Sequence, residues 1–263
     1  MIIRKSPQEL DRMRKAGRLV GHTLSVVAAA AQPGVSLLEL DKLAERTIRG
    51  AGAVPSFLGY HGFPATLCLS PNDGVVHGIP NGYVLKDGDL LSIDCGAIVE
   101  GYHGDAAVTI PIGEANEAGR RLMATTERAM WAGIAQVRAG HRLSDIGHAV
   151  EQVAHEPGYG VVREYVGHGI GTAMHEEPQV PNYGRPGRGL RLDVGLVLAI
   201  EPMLNEGAPE TEVLDDGWTV VTRDGSRSAH FEHTVAITPA GPEVLTLLDG
   251  ARQEDWMDAR AAR

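Results

Sequence analysis

The sequence has few cysteines and no long apolar run. Its two cysteines, Cys68 and Cys95, lie far apart and form no Cys-x-x-Cys motif. Such sparse cysteine argues against a disulfide framework and indicates a reducing compartment. No apolar stretch approaches the roughly 18 residues that a membrane-spanning helix needs, and the first residues lack the apolar core of a signal peptide. We therefore expect a cytoplasmic protein that makes no membrane contact.

Positive charge is also scarce. The chain has 24 Lys and Arg against 34 Asp and Glu, a formal net charge of -10. That balance argues against a protein built mainly to bind phosphate backbones, so we expect no nucleic-acid substrate. The 263 residues are nevertheless 43% hydrophobic, enough for a sizeable core. Because no linker rich in Pro, Gly or Ser divides the chain, we expect one domain over 1–263, with a core of about 6–247 and a C-terminal tail at 248–263.

Helix and strand signals alternate in two rounds. Capping boxes at Ser6 with Glu9 and at Ser36 with Glu39 predict where the first two helices begin. The predicted helices cover about 7–31, 37–48, 115–137 and 144–155. The predicted strands cover 66–69, 90–94, 97–99, 106–110, 161–162, 196–201, 218–222 and 232–238. This order, two helices then strands and again two helices then strands, indicates two halves of similar plan.

Common catalytic signatures are missing: the chain has no HExxH zinc helix, no GxSxG turn and no GxxxxGK[ST] phosphate loop. Acidic residues at the ends of predicted strands stand out instead. Asp94 ends the run 90–94, and Asp105 follows a turn marked by Gly101, so the two carboxylates can lie side by side.

Three further polar residues have unusual settings. Glu201 ends an apolar run and is followed by Pro202, Glu232 lies at a strand edge, and His168 lies between two glycines. Each has an ordinary explanation when taken alone: an Asp at a strand end is usually a turn former, a Glu in a strand usually an ion-paired residue, and a His between glycines usually a loop residue.

Taken together, these residues indicate a metal site. Four converging carboxylates would repel one another and raise one another's pKa values. Two divalent ions carry a charge that balances four carboxylates, and oxygen ligands with one imidazole suit Mn, Fe, Co or Zn. Such a pair can activate a water and polarise a carbonyl. The residues thus favour a dinuclear hydrolase, provided that they converge in space.

The sequence resembles methionine aminopeptidases of the bacterial type I form over nearly its whole length, from about Ser6 to Leu247. The segment between His168 and Glu201 is too short for the subdomain that type II enzymes insert there. The motifs that carry the resemblance are Ser92-Ile93-Asp94, His103-Gly104-Asp105, Gly167-His168-Gly169-Ile170-Gly171, Ile200-Glu201-Pro202, Glu232-His233-Thr234, Gly59-Tyr60-His61-Gly62-Phe63-Pro64, Asn72 to Pro80 (NDGVVHGIP), His175-Glu176-Glu177-Pro178 and Asp216-Gly217-Trp218-Thr219.

The resemblance implies an α+β architecture, the pita-bread fold: a curved antiparallel sheet with helices on its outer face and two pseudo-symmetric halves. It also implies two divalent metal ions per chain, Co, Mn, Fe or Zn. In the family, the residue matching Asp94 binds one metal, those matching Asp105 and Glu232 bridge both, and those matching His168 and Glu201 complete the other shell.

The implied function is removal of the initiator methionine from nascent proteins when the second residue is small, with a water held by the two metals attacking the first peptide bond. His175 would stabilise the developing oxyanion, and His77 would lie near the substrate amine or the leaving nitrogen. Glu201 would shuttle the proton of the water. The implied partners are N-termini of nascent chains and the ribosome near its exit tunnel, and the implied state is a monomer.

The resemblance also implies a substrate slot and a weaker monovalent-cation site at Asn72 and Ser228. Soft and aromatic walls suit a methionine sulfur. The residues carried over to the slot are Phe57, Tyr60, Phe63, Cys68, Met174 and Trp218.

Three residues depart from the family pattern. Phe57 stands where many bacterial relatives have Cys, Met174 replaces a frequent aromatic residue, and Gly96 replaces a frequent Thr beside the metals. We expect these to change the pocket rim and the metal affinity rather than the reaction.

Two alternatives stay open. An X-Pro aminopeptidase or prolidase would share the fold, although those enzymes usually carry a substantial N-terminal domain and here only two helices precede the strands. A metal-free binding protein on the same fold would lack some ligands, whereas all five are present here.

Overall fold

The chain has two pairs of long helices, and each pair is followed by a series of strands. The computed structural model describes residues 2–253, so most of the predicted tail at 248–263 lies outside the described residues. The helices are α1 (Pro7–Ala30), α2 (Leu37–Gly50), α3 (Glu117–Ile134) and α4 (Leu143–His155). Both predicted capping boxes form, with Ser6 accepting from the Glu9 backbone and Ser36 from the Glu39 backbone. All four predicted helices are confirmed.

Fifteen strands within residues 2–253 form one large and two small sheets, all antiparallel. The strands are β1 (Val54–Pro55), β2 (Leu67–Pro71), β3 (Gly74–Val76), β4 (Leu90–Val99), β5 (Tyr102–Pro111), β6 (Gly160–Val161), β7 (Gly167–Gly169), β8 (Glu176–Val180), β9 (Val197–Ile200), β10 (Met203–Asn205), β11 (Thr211–Val213), β12 (Val220–Thr222), β13 (Ser228–His230), β14 (Glu232–Thr238) and β15 (Gly241–Val244). The large sheet has the order β1-β4-β5-β14-β9-β7-β8, with β2 added to β4 and β15 to β14.

A regular hairpin of β4 and β5 is the centre of the first half. Its ten pairs run without interruption from Leu90 opposite Pro111 to Val99 opposite Tyr102. The prediction that Asp94 ends a strand was therefore wrong, because β4 continues through the predicted gap at Cys95 and Gly96. The run of apolar residues ends at Asp94, but the backbone hydrogen bonds with β5 continue to Val99.

The second half is built from shorter strands. Here β14 lies between β5 and β9, and β7 continues the sheet beyond β9. Glu232 is the first residue of β14, as its predicted place at a strand edge implies. Glu201 follows directly after β9 rather than closing the strand, because Pro202 comes next and lacks a backbone N–H to pair.

The core lies between the helices and the large sheet. Helix α1 packs against β4 and β5, and α3 packs against α4 and β13. Gly17 and Gly21 let α1 approach the chain after β15, because a Cβ at either position would collide with the carbonyl of Leu245 or Leu247. Within residues 2–253, no helix combines the length and the apolar composition needed to cross a bilayer.

Candidate metal centre and substrate cleft

Five polar side chains converge from five neighbouring strands of the large sheet. Asp94 lies on β4, Asp105 on β5, Glu232 on β14, Glu201 after β9 and His168 on β7, and these strands are adjacent in that order. All five side chains line one cavity. The convergence that the sequence could only assume is therefore present in the structure.

His168 is oriented for metal binding by its own backbone. Its Nδ1 lies 2.8 Å from the carbonyl oxygen of Gly169 and donates to it, which leaves Nε2 unprotonated. That Nε2 lies 3.5 Å from Glu201 Oε1 and 3.9 Å from Asp105 Oδ2. A hydrogen bond from the remote nitrogen to a carbonyl is the usual way in which a protein orients a ligating imidazole.

The carboxylates of this cluster are held in an environment that disfavours their charge. Burial raises the pKa of Asp94 to about 7. It also raises the pKa values of Asp105, Glu201 and Glu232 well above their ordinary range, and the neighbouring carboxylates raise them further. Bound cations would reverse these shifts.

Several buried ligand atoms have no hydrogen-bond partner among the described residues. They include Asp94 Oδ1, Asp105 Oδ1 and Glu232 Oε1. An unpaired buried polar atom costs about 1–3 kcal/mol, so three together need an explanation. Oxygen atoms with an imidazole are the donor set of Mn, Fe, Co and Zn sites. The side chains therefore fit divalent metal ions.

Two groups of side chains within residues 2–253 have ligand atoms close enough together to hold a metal ion, and they share Glu232. One consists of Asp105, His168 and Glu232, and the other of Glu201, His230 and Glu232, with the ligand atoms of each group within 4.8 Å of one another. The first contains only predicted ligands. The second contains His230, which the sequence did not predict as a ligand.

A signal for His230 was present in the sequence. It precedes Glu232 by two positions, and in an extended chain residues two apart point to the same face. A single His next to a predicted strand is common and does not by itself indicate a metal ligand, so His230 was not predicted.

An apolar slot opens directly beside the carboxylates. The cavity has a volume of about 450 Å³, within the usual range for small-ligand sites. The Phe63 and Trp218 rings meet edge to face, with 5.2 Å between centroids. All six residues predicted for the slot line this cavity: Phe57, Tyr60, Phe63, Cys68, Met174 and Trp218.

Two further histidines complete the cleft. His175 Nδ1 lies 2.7 Å from Tyr60 Oη, and its ring centroid lies 4.2 Å from that of His168. His77 adopts a left-handed backbone conformation (φ 57°) and packs edge-on against Tyr165. Burial lowers the pKa of His77 to about 4 and also lowers the pKa of His175, so both rings are neutral at pH 7.

The residues predicted to bind a monovalent cation, Asn72 and Ser228, contact each other through their backbones. The Ser228 backbone N–H donates to the Asn72 carbonyl oxygen at 2.9 Å, and the Asn72 side chain pairs with Asp89 and Leu90. Neither Asn72 nor Ser228 is among the residues that line the cavity. Their role stays a prediction.

Comparison with known proteins identifies the family of the chain. Residues 11–239 match the family described as metallopeptidase family M24. A methionine aminopeptidase of Clostridium perfringens (strain 13 / Type A) is 52% identical over 248 residues, covering 94% of this chain and 100% of the relative. The crystal structure of methionine aminopeptidase from Rickettsia prowazekii is 42% identical, covers 94% of this chain and 100% of that chain, and superposes with a TM-score of 0.93.

The chain belongs to metallopeptidase family M24. Within the family it groups with the methionine aminopeptidases, so the resemblance and the pita-bread fold are confirmed. A prolidase from Pyrococcus furiosus is 24% identical, with a TM-score of 0.74, over 94% of this chain and 66% of that chain, which shows a shared fold alone. Sequence identity thus separates this chain from the prolidase, although the two proteins share a fold.

Proposed function

We propose that the chain is a metalloaminopeptidase that removes the initiator methionine from nascent proteins whose second residue is small. The observation that carries this proposal is that one cavity joins the carboxylate–histidine cluster to a slot with soft and aromatic walls. A peptide with its first side chain in the slot has its first carbonyl beside the cluster.

The cluster is proposed to hold two divalent ions, Co, Mn, Fe or Zn. Asp94 would bind one ion, Asp105 and Glu232 would bridge both, and His168 with Glu201 would complete the other shell. When bound there, the ions supply Lewis acidity to the peptide carbonyl and lower the pKa of water.

The remaining groups orient the substrate and move protons. Glu201 lies at the cluster and is half-buried, in the position to take a proton from water and pass it to the leaving nitrogen. When Tyr60 donates to Nδ1 of His175, the proton of that neutral ring lies on Nε2. That Nε2–H donates to the developing oxyanion, and His77 contacts the nitrogen end of the substrate.

The slot determines the first residue of the substrate. The sulfur of Met174 and the thiol of Cys68 are polarisable groups that match a thioether. The aromatic pair of Phe63 and Trp218 forms a firm wall. Specificity for the second residue is proposed to be steric, because a bulky side chain would collide with the wall of the metal centre.

The wider setting is proposed from the same function. We place the protein in the cytoplasm, as a monomer of one catalytic domain that meets nascent N-termini near the ribosomal exit tunnel. Its cysteines, Cys68 and Cys95, are both free and buried, as a reducing compartment allows. Asn72 and Ser228 are proposed to hold a monovalent cation beside the site.

Release of free methionine from Met-Ala-Ser tests the function. Metal-stripped protein is assayed with and without added Co or Mn, and Met-Leu-Ser is the matched control peptide. We expect strong metal-dependent release from the first peptide and none from the second. If folded protein releases no methionine with any divalent metal, the proposal fails. Cleavage of X-Pro peptides by the same protein would then identify a prolidase-type enzyme.

A further inference from the structure

His230 lies beside the metal centre in a fixed position. It ends β13, opposite Met203 of β10. Thr109 Oγ1 accepts from its backbone N–H and donates to its carbonyl oxygen, each at 2.8 Å. The residue is only 1% exposed. Its backbone is therefore held by two neighbouring strands, and its side chain is buried.

Neither ring nitrogen of His230 has a hydrogen-bond partner among the described residues. Buried polar atoms are paired in most proteins, and each one left unpaired costs about 1–3 kcal/mol. A buried imidazole with two unpaired nitrogens is a group that lacks its partner. The neighbouring carboxylates of Asp94, Asp105 and Glu232 also have oxygen atoms without a hydrogen-bond partner.

The distance from His230 to Glu201 indicates what that partner is. His230 Nε2 lies 3.8 Å from Glu201 Oε2. That separation exceeds the about 2.7–3.2 Å of a hydrogen bond. It is less than twice a metal–ligand bond of about 2.0–2.2 Å, so one ion can contact both atoms. Glu232 offers a third ligand atom within 4.8 Å of the other two.

The other oxygen of Glu201 has a similar neighbour. His168 Nε2 lies 3.5 Å from Glu201 Oε1, so the carboxylate stands between two imidazoles at comparable distances. His168 is a ligand by the family resemblance, whereas His230 has no assigned role.

We propose that His230 is a metal ligand, supplying the second imidazole of the cluster to an ion that Glu201 and Glu232 would hold. The proposal rests on the proposed metalloaminopeptidase function, which places ions at this cluster. A second nitrogen makes the donor set softer. We expect it to favour Zn, Co or Fe over Mn at this position, because imidazole suits the former and carboxylate oxygen the latter.

Nuclear magnetic resonance of zinc-loaded protein labelled with nitrogen-15 in its histidines tests the proposal directly. Metal-bound imidazole nitrogens have distinct chemical shifts, so two-bond proton–nitrogen spectra count them. We expect two metal-bound rings in the unaltered protein and one in His230→Gln. His22→Gln, an exposed position on α1, is the matched control and retains both. A single metal-bound ring in the unaltered protein would overturn the proposal, whether or not the variant folds.

Calorimetric titration gives a second readout. We expect His230→Gln to bind zinc at least about 10-fold more weakly and to lose less affinity for manganese. Weaker binding with an unchanged count of bound rings would mean that His230 only orients Glu201, which also overturns its assignment as a ligand. Methionine release is measured separately: release with one bound ring overturns the His230 proposal alone, and two bound rings without release overturn the proposed function alone.

Discussion

The carboxylate cluster and the apolar slot share one cavity but relate to folding in opposite ways. The slot residues pack against one another, as the edge-to-face contact of Phe63 with Trp218 shows, so they stabilise the fold while they shape the pocket. The cluster residues are buried with unpaired oxygens and raised pKa values, so they destabilise the metal-free fold. Function and stability therefore agree in the slot and conflict in the cluster.

The first prediction separates function from stability in the cluster. Asp105→Asn is expected to abolish turnover, because an amide cannot bridge two metals as a carboxylate does. In metal-free protein, the same change is expected to raise the melting temperature, by about 2–4 °C for each kcal/mol of relieved penalty. Activity is followed by methionine release, and stability by calorimetry.

The pH dependence of that stability gain follows from the raised pKa of Asp105. A carboxyl whose folded-state pKa is raised penalises the fold at pH values above its unfolded pKa of about 4. The gain is therefore absent below about pH 4 and increases as the pH rises from there towards the raised pKa of Asp105. Asp11→Asn, at an exposed ion pair with Arg14, is the control that should leave both activity and metal binding unchanged. Normal turnover by Asp105→Asn would refute the bridging role.

The second prediction concerns His175, which lies between the carboxylate cluster and the apolar slot. His175→Ala is expected to lower kcat about 100-fold or more, because the oxyanion loses a donor. Its effect on metal affinity should be small, since His175 lies at the rim and contacts Tyr60 through Nδ1. Steady-state kinetics with saturating metal measure the change. A variant with unaltered kcat would remove His175 from the reaction.

The predictions from sequence were most accurate for features that depend on residues close together in the chain. The capping boxes at Ser6 and Ser36 predicted the starts of two helices, because caps depend on residues three positions apart. Ligands such as Asp94 stood out as acidic residues at predicted strand ends, but the sequence could not show that they converge, since convergence depends on the pairing of distant strands. The continuation of β4 past Asp94 was missed because pairing with β5, rather than the apolar pattern, maintains it. His230 was missed because burial and the lack of a partner are properties of the fold.

The third prediction tests the slot side of the comparison. Trp218→Ala is expected to raise KM for Met-Ala-Ser about 10-fold, in the range that lost apolar contact gives, with kcat little changed. The ring binds ground state and transition state alike, so its loss weakens uniform binding. In contrast to Asp105→Asn, this variant should bind metal normally. A fall in kcat without a change in KM would contradict the assignment of Trp218 to the slot.

The smallest effect is expected from substitutions at Gly96 and Phe57, where the slot contacts the large sheet. Gly96 pairs with Asp105, and a Cβ at Gly96 would lie 2.8 Å from Phe57 Cε1 and equally close to Ser56 Cβ. The two departures from the family pattern, Gly96 and Phe57, are therefore one feature: the ring fits because the strand has no side chain there. Gly96→Thr alone should force the ring to shift, with an overpacking cost of about 1–3 kcal/mol and a several-fold rise in KM.

A double-mutant cycle decides whether the two positions act together. Phe57→Cys alone leaves a gap beside Gly96 and should raise KM modestly. The double variant Phe57→Cys with Gly96→Thr should recover the part of the loss that comes from the ring, because the close contact with Ser56 remains. Coupling energies of about 0.5–3 kcal/mol are typical of residues in contact. If the effects simply add, the ring does not depend on Gly96. In that case the rim of the slot is shaped by the Phe57 backbone, whose neighbour Ser56 donates its N–H to the Gly96 carbonyl at 2.9 Å.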